Sequence, residues 1–377
     1  MSLLSWLDDT IRDPASCRVR IDGREIDDLY PSLEELEVVL ARQDSGVATL
    51  VFETHRVDNG RWNVQDDDRI RPWSAISVHA VFGTREDPIF DGFIRQVQVS
   101  FPEERGAAKV TVSCQDTSLL LDRTQRTQRW GDDVPLSDGQ IVTRILQEAG
   151  LGFLDQPGEG VPDLVVNQNE TDIKFLKKRA QENAFDLFFR EQQLYFGPMR
   201  FDRSDQATIR IYAGTDTHCL SFNIDDDGHQ PDAVLYEVAE TSGSDTNEQR
   251  VTPNLDLLGD TPVNAVSSRQ GDFAWRLSRE GLADGNQARA RAQAQANEAS
   301  LKIKATGELD GALYGHVLLP GDPVGVDGIG DAYGGRWYVS QVSHRFDMNG
   351  YRQSFELLRN AYGDNLETHS NPLAAVL

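Results

Sequence analysis

Three cysteines, Cys17, Cys114 and Cys219, stand far apart in a chain of 377 residues. That scarcity argues against a disulfide framework or a zinc knuckle, both of which need paired spacing. No window approaches the roughly 18 apolar residues that a membrane helix requires. Positive charge is thin as well: 37 basic residues face 61 acidic ones, only six of the 37 are lysine, and the formal charge is -24. No stretch gathers arginine and lysine into the stripe that counterion release from a nucleic-acid backbone demands, so nucleic-acid binding is not expected. The opening, Met1-Ser2-Leu3-Leu4-Ser5-Trp6 followed by Asp8 and Asp9, lacks the basic start of a secretory leader, and synthesis in a reducing cytoplasm is the expectation. The acidic balance reads as a solvated surface, or more sharply as an acidic channel wall past which a polyanion slides without sticking.

Catalytic signatures are missing too. There is no Gly-x-Ser-x-Gly elbow, no cysteine has a histidine placed as its base, and none of the seven histidines falls into His-x-x-x-His spacing. His344 is embedded in a patterned strand, which suits a packed, hydrogen-bonded histidine better than a metal ligand. Gly328-Ile329-Gly330 with Gly334-Gly335 looks like a nucleotide loop, but it joins two strands and offers no helix N-terminus to a phosphate. Asn223, Asp225, Asp227 and Gly228 match the opening of a calcium loop, yet Val234 occupies the twelfth position, where a bidentate carboxylate belongs; an acidic turn is the reading, with a weak cation site as the alternative. Asp66-Asp67-Asp68 and Asp132-Asp133 read as solvated turns. No catalytic, cofactor-binding or metal-ligating residue is expected, and the chain is read as not an enzyme.

What the sequence does have is alternation. Between Pro88 and Leu121, Phe93, Val97, Val99 and Phe101 fall on one strand face with Ile94, Gln96, Gln98 and Ser100 on the other, and Val110, Val112 and Cys114 repeat the pattern. Between Leu319 and Arg359, Tyr338, Val342, His344 and Phe346 share a face, as do Tyr351, Phe355 and Leu357 beyond a Met348-Asn349-Gly350 turn. Further strands are expected around Cys17 to Ile26 (a hairpin turning at Asp22-Gly23), Leu36 to Leu40, Ala48 to His55, Ala75 to Phe82, Thr208 to Tyr212, Cys219 to Ile224, Ala233 to Glu240 and Leu301 to Leu309. A capping box at Ser137-Asp138-Gly139-Gln140 opens a helix carrying Ile141, Val142, Ile145 and Leu146 that stops at Gly150. Asn169 opens a second helix with Ile173, Leu176 and Ala180 on one side, and a hairpin turns at Glu191-Gln192. Asp284 caps a third helix whose Ala288, Ala292, Ala296 and Ala299 form a stripe of small side chains. These signals predict an α+β, mainly β protein: two antiparallel β modules with an α/β insertion between them. The divisions are 1–122, with a short amphipathic lead; 123–205, the insertion; 206–240 with 300–362, the second β module; 241–299, a polar loop and the alanine-rich helix; and 363–377, a tail.

In order, Pro88 to Ile94, Cys114-Gln115-Asp116, Ser137 to Ile141, Asn169 to Asp172, Leu194-Tyr195-Phe196, Leu319 to Asp322 and Val342-Ser343-His344 resemble the late control D family. These are central baseplate hubs of contractile phage tails and phage-derived injection systems, related to the N-terminal part of VgrG spikes. The resemblance implies two tube-protein-like β-barrels per chain and a homotrimer whose pseudo-sixfold ring docks onto a hexameric inner tube. It implies a trimeric spike on the other side, other baseplate components as neighbours, a tape measure protein in the lumen, and assembly into a phage-tail baseplate or an extracellular injection particle. A VgrG chain would continue into a needle; here the spike is expected to be a separate polypeptide. The competing readings are a tail-associated peptidoglycan hydrolase built on a carboxylate pair that meets only in the fold, and a free cell-wall-binding module.

Overall fold

Period-two alternation builds the first part of the molecule. The structure is a computed structural model describing residues 15–104, 106–239, 246–267, 271, 273–278 and 285–369. Its first strands are β1 (Ala15–Ile21), β2 (Arg24–Glu25), β3 (Leu33–Ala41), β4 (Val47–Glu53), β5 (Ala75–Phe82), β6 (Arg85–Ser100) and β7 (Lys109–Asp116). β1 and β2 form the expected hairpin, and Asp22 and Gly23 take the positive φ values, 49° and 75°, that a two-residue turn of this hand needs. Val19, Ile21, Leu36, Val38, Leu50, Phe52, Val78, Ile94 and Val112 converge in one apolar core.

Simple alternation fails within β6. The register against β7 shifts between Ile94 and Gln96, so Arg95 is the extra residue of a bulge. Ile94 is therefore the core residue, whereas Phe93, expected on the buried face, points away and is only partly covered.

The insertion comprises β8 (Gln125–Trp130), α1 (Asp138–Ala149), β9 (Gly152–Phe153), β10 (Val166–Thr171), α2 (Asp172–Asn183), β11 (Asp186–Arg190) and β12 (Gln193–Gly197). Ser137 and Gln140 exchange the two bonds of a capping box, and Gly150 closes α1 in the left-handed region at φ 70°. The second helix starts at Asp172: Asn169, expected to open it, is paired with Thr127 in the β10–β8 ladder, which takes up those backbone groups first. Ile141, Val142, Ile145, Leu146, Phe175, Leu176, Leu194 and Phe196 give this part a core of its own.

The remaining elements are β13 (Gln206–Arg210), β14 (Cys219–Asp226), β15 (Ala233–Ala239), β16 (Thr246–Val251), β17 (Thr261–Pro262), β18 (Ala274–Arg276), α3 (Gly285–Ser300), β19 (Ile303–Asp310), β20 (Pro323–Asp327), β21 (Gly335–Asp347), β22 (Gly350–Arg359) and β23 (Ala361–Tyr362). Two sequence expectations change here. β15, expected in the second β module, pairs with β16 and β18 in a separate sheet, and the stretch read as a polar loop supplies those two partners. Val234 and Tyr236 of β15 pack on Ala288, Ala292 and Ala296 of α3, so the small-residue stripe allows a sheet to lie close to the helix. The expected Asp284 cap, the lead before Ala15 and the tail after His369 lie outside the described residues.

One large, mostly antiparallel sheet runs through the molecule in the order β14-β19-β22-β21-β3-β4-β7-β6-β5-β1-β2, with β20 on β21 and β13 on β20. It encloses a second apolar core of Ile209, Ile303, Ala305, Val324, Trp337, Val339, Val342, Phe355 and Leu357.

Candidate functional site: the junction between two sheet units

The structure puts the sequence-selected polar residues to structural use. His344 is fully buried, its Nδ1 shares a 2.8 Å hydrogen bond with the Tyr351 hydroxyl, and burial lowers its pKa to about 3. Asn223 and Asp225 lie in β14, paired with Thr306 and Lys304, and are extended strand rather than loop. Asp227 accepts from the backbone N–H of His229 and from the Gln230 side chain. Among the described residues no group of three or more His, Cys, Asp or Glu is placed to hold a metal ion. The glycine run at Gly328 to Gly335 connects β20 to β21. Burial pushes the thiols of Cys17, Cys114 and Cys219 up to about 11, 12 and 11, which keeps them protonated and poorly nucleophilic. Asp116 is pushed up to about 6 by burial, and it accepts from the backbone N–H groups of Gly46 and Ser118, fixing the turn after β7.

What the fold assembles with care is a junction. Past its own bulge at Ser340, β21 leaves β20 and pairs with β3, antiparallel, from Gln341 opposite Ala41 to Phe346 opposite Leu36. The bulge changes which side chains face inward. Trp337 and Val339 face the second core before it and Val342 after it, while Tyr338 turns to the opposite side against Phe201 and does not share the face of Val342 as expected. Phe346 and Tyr351, at the tip of the β21–β22 hairpin, stack at 4.1 Å inside the first core, so one hairpin belongs to both cores.

Immediately after β3, Arg42 locks this junction to the insertion and to α3. Its guanidinium donates to Asp186 at 2.8 Å and to Glu298 at 2.7 Å, and the Tyr338 hydroxyl donates to the other Asp186 oxygen at 2.5 Å. Burial pushes the Asp186 carboxyl up, with the Arg42 charge opposing. A second clamp holds the far side: Arg190 and Arg200 both reach Asp322, at 2.6 and 2.7 Å, and Arg200 also lies over the Tyr195 ring. A buried carboxylate tied to arginine, tyrosine and backbone has no free lone pair for proton transfer; it holds parts in place.

Strand order shows why this junction matters. Taking β1, β3, β4, β5, β6 and β7 as one unit, the pairing order is first-fourth-fifth-sixth-third-second; taking β13, β14, β19, β20, β21 and β22 as another, it is the same. The units differ at the first pair, antiparallel for β1–β5 and parallel for β13–β20. The fifth strand is bulged in both. Ahead of each bulge the same two bonds recur: Trp73 N–H to Ile94 C=O and Ile94 N–H to Ser74 C=O in one unit, Gly321 N–H to Val339 C=O and Val339 N–H to Asp322 C=O in the other. The ladders then align Phe93-Ile94-Arg95-Gln96-Val97 with Tyr338-Val339-Ser340-Gln341-Val342, Phe101 with Phe346, and Ala48-Thr49 with Ala305-Thr306. Sequence reading missed this duplication, although the aromatic-aliphatic-x-Gln-Val motif at both bulges was the signal for it.

No curated protein matches the chain by sequence. The fold is similar to that of a 43 kDa tail protein of prophage MuSo2 from Shewanella oneidensis, at 12% identity and TM-score 0.67 over 92% of this chain and 98% of that one. It is similar also to a tail protein from Neisseria meningitidis, at 12% identity and TM-score 0.62 over 92% and 96% of the two chains. A component of the type VI secretion system of Escherichia coli, itself described as structurally similar to the T4 tail proteins gp27 and gp5, aligns at 13% identity and TM-score 0.53 over 92% and 79%. At such identities the likeness is one of fold. A family model, that of the Alg8 N-terminal domain, matches residues 12–347 of the sequence. With that match spanning most of the chain, the protein belongs to the Alg8 N-terminal domain family.

Proposed function

We propose that this chain is a structural component of a phage-tail-like baseplate, a hub of the late control D type that adapts a hexameric inner tube to a trimeric spike. The observation that carries the reading is the duplicated unit. A ring in which each chain contributes two equivalent six-stranded units has twice as many units as chains, so three chains present six similar faces to a sixfold tube while keeping threefold symmetry for a spike. In this reading the two units are tube-like β-barrels, the insertion braces them from outside, the spike is a separate polypeptide, and a tape measure protein occupies the lumen. Other baseplate components pack around the ring, on a phage tail or an extracellular injection particle. The tail-protein folds above support it, and so does the use of the buried charges as clamps.

The test is the mass of the purified chain, alone and mixed with candidate tube and spike proteins. Three copies, formed alone or on a trimeric spike, are expected. A chain that stays monomeric in every mixture overturns the adaptor role.

A further inference from the structure

The two units differ in one respect that the duplication makes legible. In β21 the edge beyond the bulge is covered by β3; in β6 the equivalent edge, Gln96 to Ser100, carries no described strand opposite β7. At the far end of the sheet, β14, the counterpart of β3, pairs with β19 and has no described strand on its outer edge. One unit thus has an acceptor without a donor, and the other a donor without an acceptor.

Side-chain exposure follows the same division. At the filled junction Leu36 and Val38 are 0% exposed and Phe346 is 8% exposed. At the open edges the counterparts of Phe346 and His344, Phe101 and Val99, are 60% and 36% exposed, and Phe222 and Ile224, counterparts of Leu36 and Val38, are only partly covered. Exposed aromatic and β-branched side chains beside an unpaired backbone edge make a ready template for another strand.

We propose that the outer edge of β14 in one copy of this chain pairs antiparallel with the Gln96–Phe101 edge of β6 in the next copy, repeating between chains the β3–β21 junction found within each chain. This rests on the ring reading above and assigns its contact surface. Carrying the internal register across sets Phe101 opposite Phe222, Ser100 opposite Asn223, Val99 opposite Ile224 and Gln98 opposite Asp225. The apolar pairs fall on one face and the polar pairs on the other, as a half-buried sheet requires. Because the contact joins different patches of the two copies, it is head-to-tail and closes into a ring. It also gives the β6–β7 hairpin a destination: its Phe101 enters the second core of the neighbour as Phe346 enters the first core within the chain.

The experiment uses the full chain carrying Ser100→Cys and Asn223→Cys, two exposed positions set directly opposite, under mild oxidation. Most of the protein is expected to run on a non-reducing gel as a covalent ring of three chains. The control Gln98→Cys with Ser221→Cys, four residues out of register, is expected to link roughly tenfold less, because cysteines whose Cα atoms lie beyond about 7 Å cannot bridge. In parallel, Phe101→Asp is expected to keep the thermal midpoint of the monomer, since the ring is already mostly exposed there, and to lose the oligomer. An oligomer of the right mass that forms without the in-register link, or that survives Phe101→Asp, overturns this contact and leaves the ring reading standing. A chain that is monomeric alone and with spike and tube overturns both.

Discussion

At the scale of single residues, the polar groups of the core are structural, and one of them sets a pH response. His344 and Gln353 face each other across β21 and β22 at positions that Val99 and Val110 hold in the first unit, so a buried polar pair replaces an apolar one. Gln353 is satisfied, accepting from Leu318 N–H and donating to the His316 carbonyl. His344 has its Tyr351 partner, but its Nε2 is buried with no hydrogen-bond partner, so no group stands ready to stabilise an imidazolium. In the unfolded chain the imidazole titrates near its ordinary value of 6.5, whereas burial holds the folded one neutral down to about 3. Across that window only the unfolded chain takes up the proton, so stability falls as pH drops below the ordinary value. Between pH 7 and pH 5, His344 is expected to cost the wild type about 2 kcal/mol of unfolding free energy, at 1.36 kcal/mol per unit. His344→Val should remove that part of the slope. Urea midpoints at the two pH values for both proteins check it, and equal slopes would refute it.

At the scale of elements, the bulges decide which face of a long strand is buried. Side chains alternate with a period of two, so one inserted residue exchanges the inner and outer sets beyond it. Deleting Ser340 is expected to turn Val342, His344 and Phe346 outward together, at a cost exceeding about 5 kcal/mol, since each is a large buried group and two cores share this strand. The chain should then fail to give a cooperative thermal transition. Ser340→Ala, which keeps the bulge, should shift stability by less than about 1 kcal/mol. A deletion variant that melts like the wild type would show that the bulge is incidental.

At the scale of the whole molecule, the charge of -24 works against assembly. Three chains brought together repel one another through that excess, and salt screens the repulsion over a Debye length of about 8 Å at physiological strength. Association is therefore expected to strengthen as sodium chloride rises from about 0.01 M to about 0.15 M, in sedimentation at fixed protein concentration, and a fall in association would point to attractive charge pairs at the interface instead. Much of this architecture was legible beforehand. Capping chemistry placed α1, because Ser137, Gln140 and Gly150 act within a single turn of chain. Turn chemistry placed the Asp22-Gly23 and Glu191-Gln192 hairpins, and alternation placed β5 from Ala75 to Phe82. The inward faces of Phe93 and Tyr338 were misread because a bulge is settled by the partner strand, which local sequence does not contain. The start of α2 was misread because Asn169 satisfies its backbone on β8, far along the chain. Local rules thus determined which segments are strands and helices, what chemistry is missing, and the mainly β class. Only the tertiary structure decided that Arg42, Asp186, Glu298 and Tyr338 meet, that β15 leaves the main sheet, and that two units share one strand order with one junction filled, since pairing between distant strands is fixed by which edges the rest of the fold leaves open.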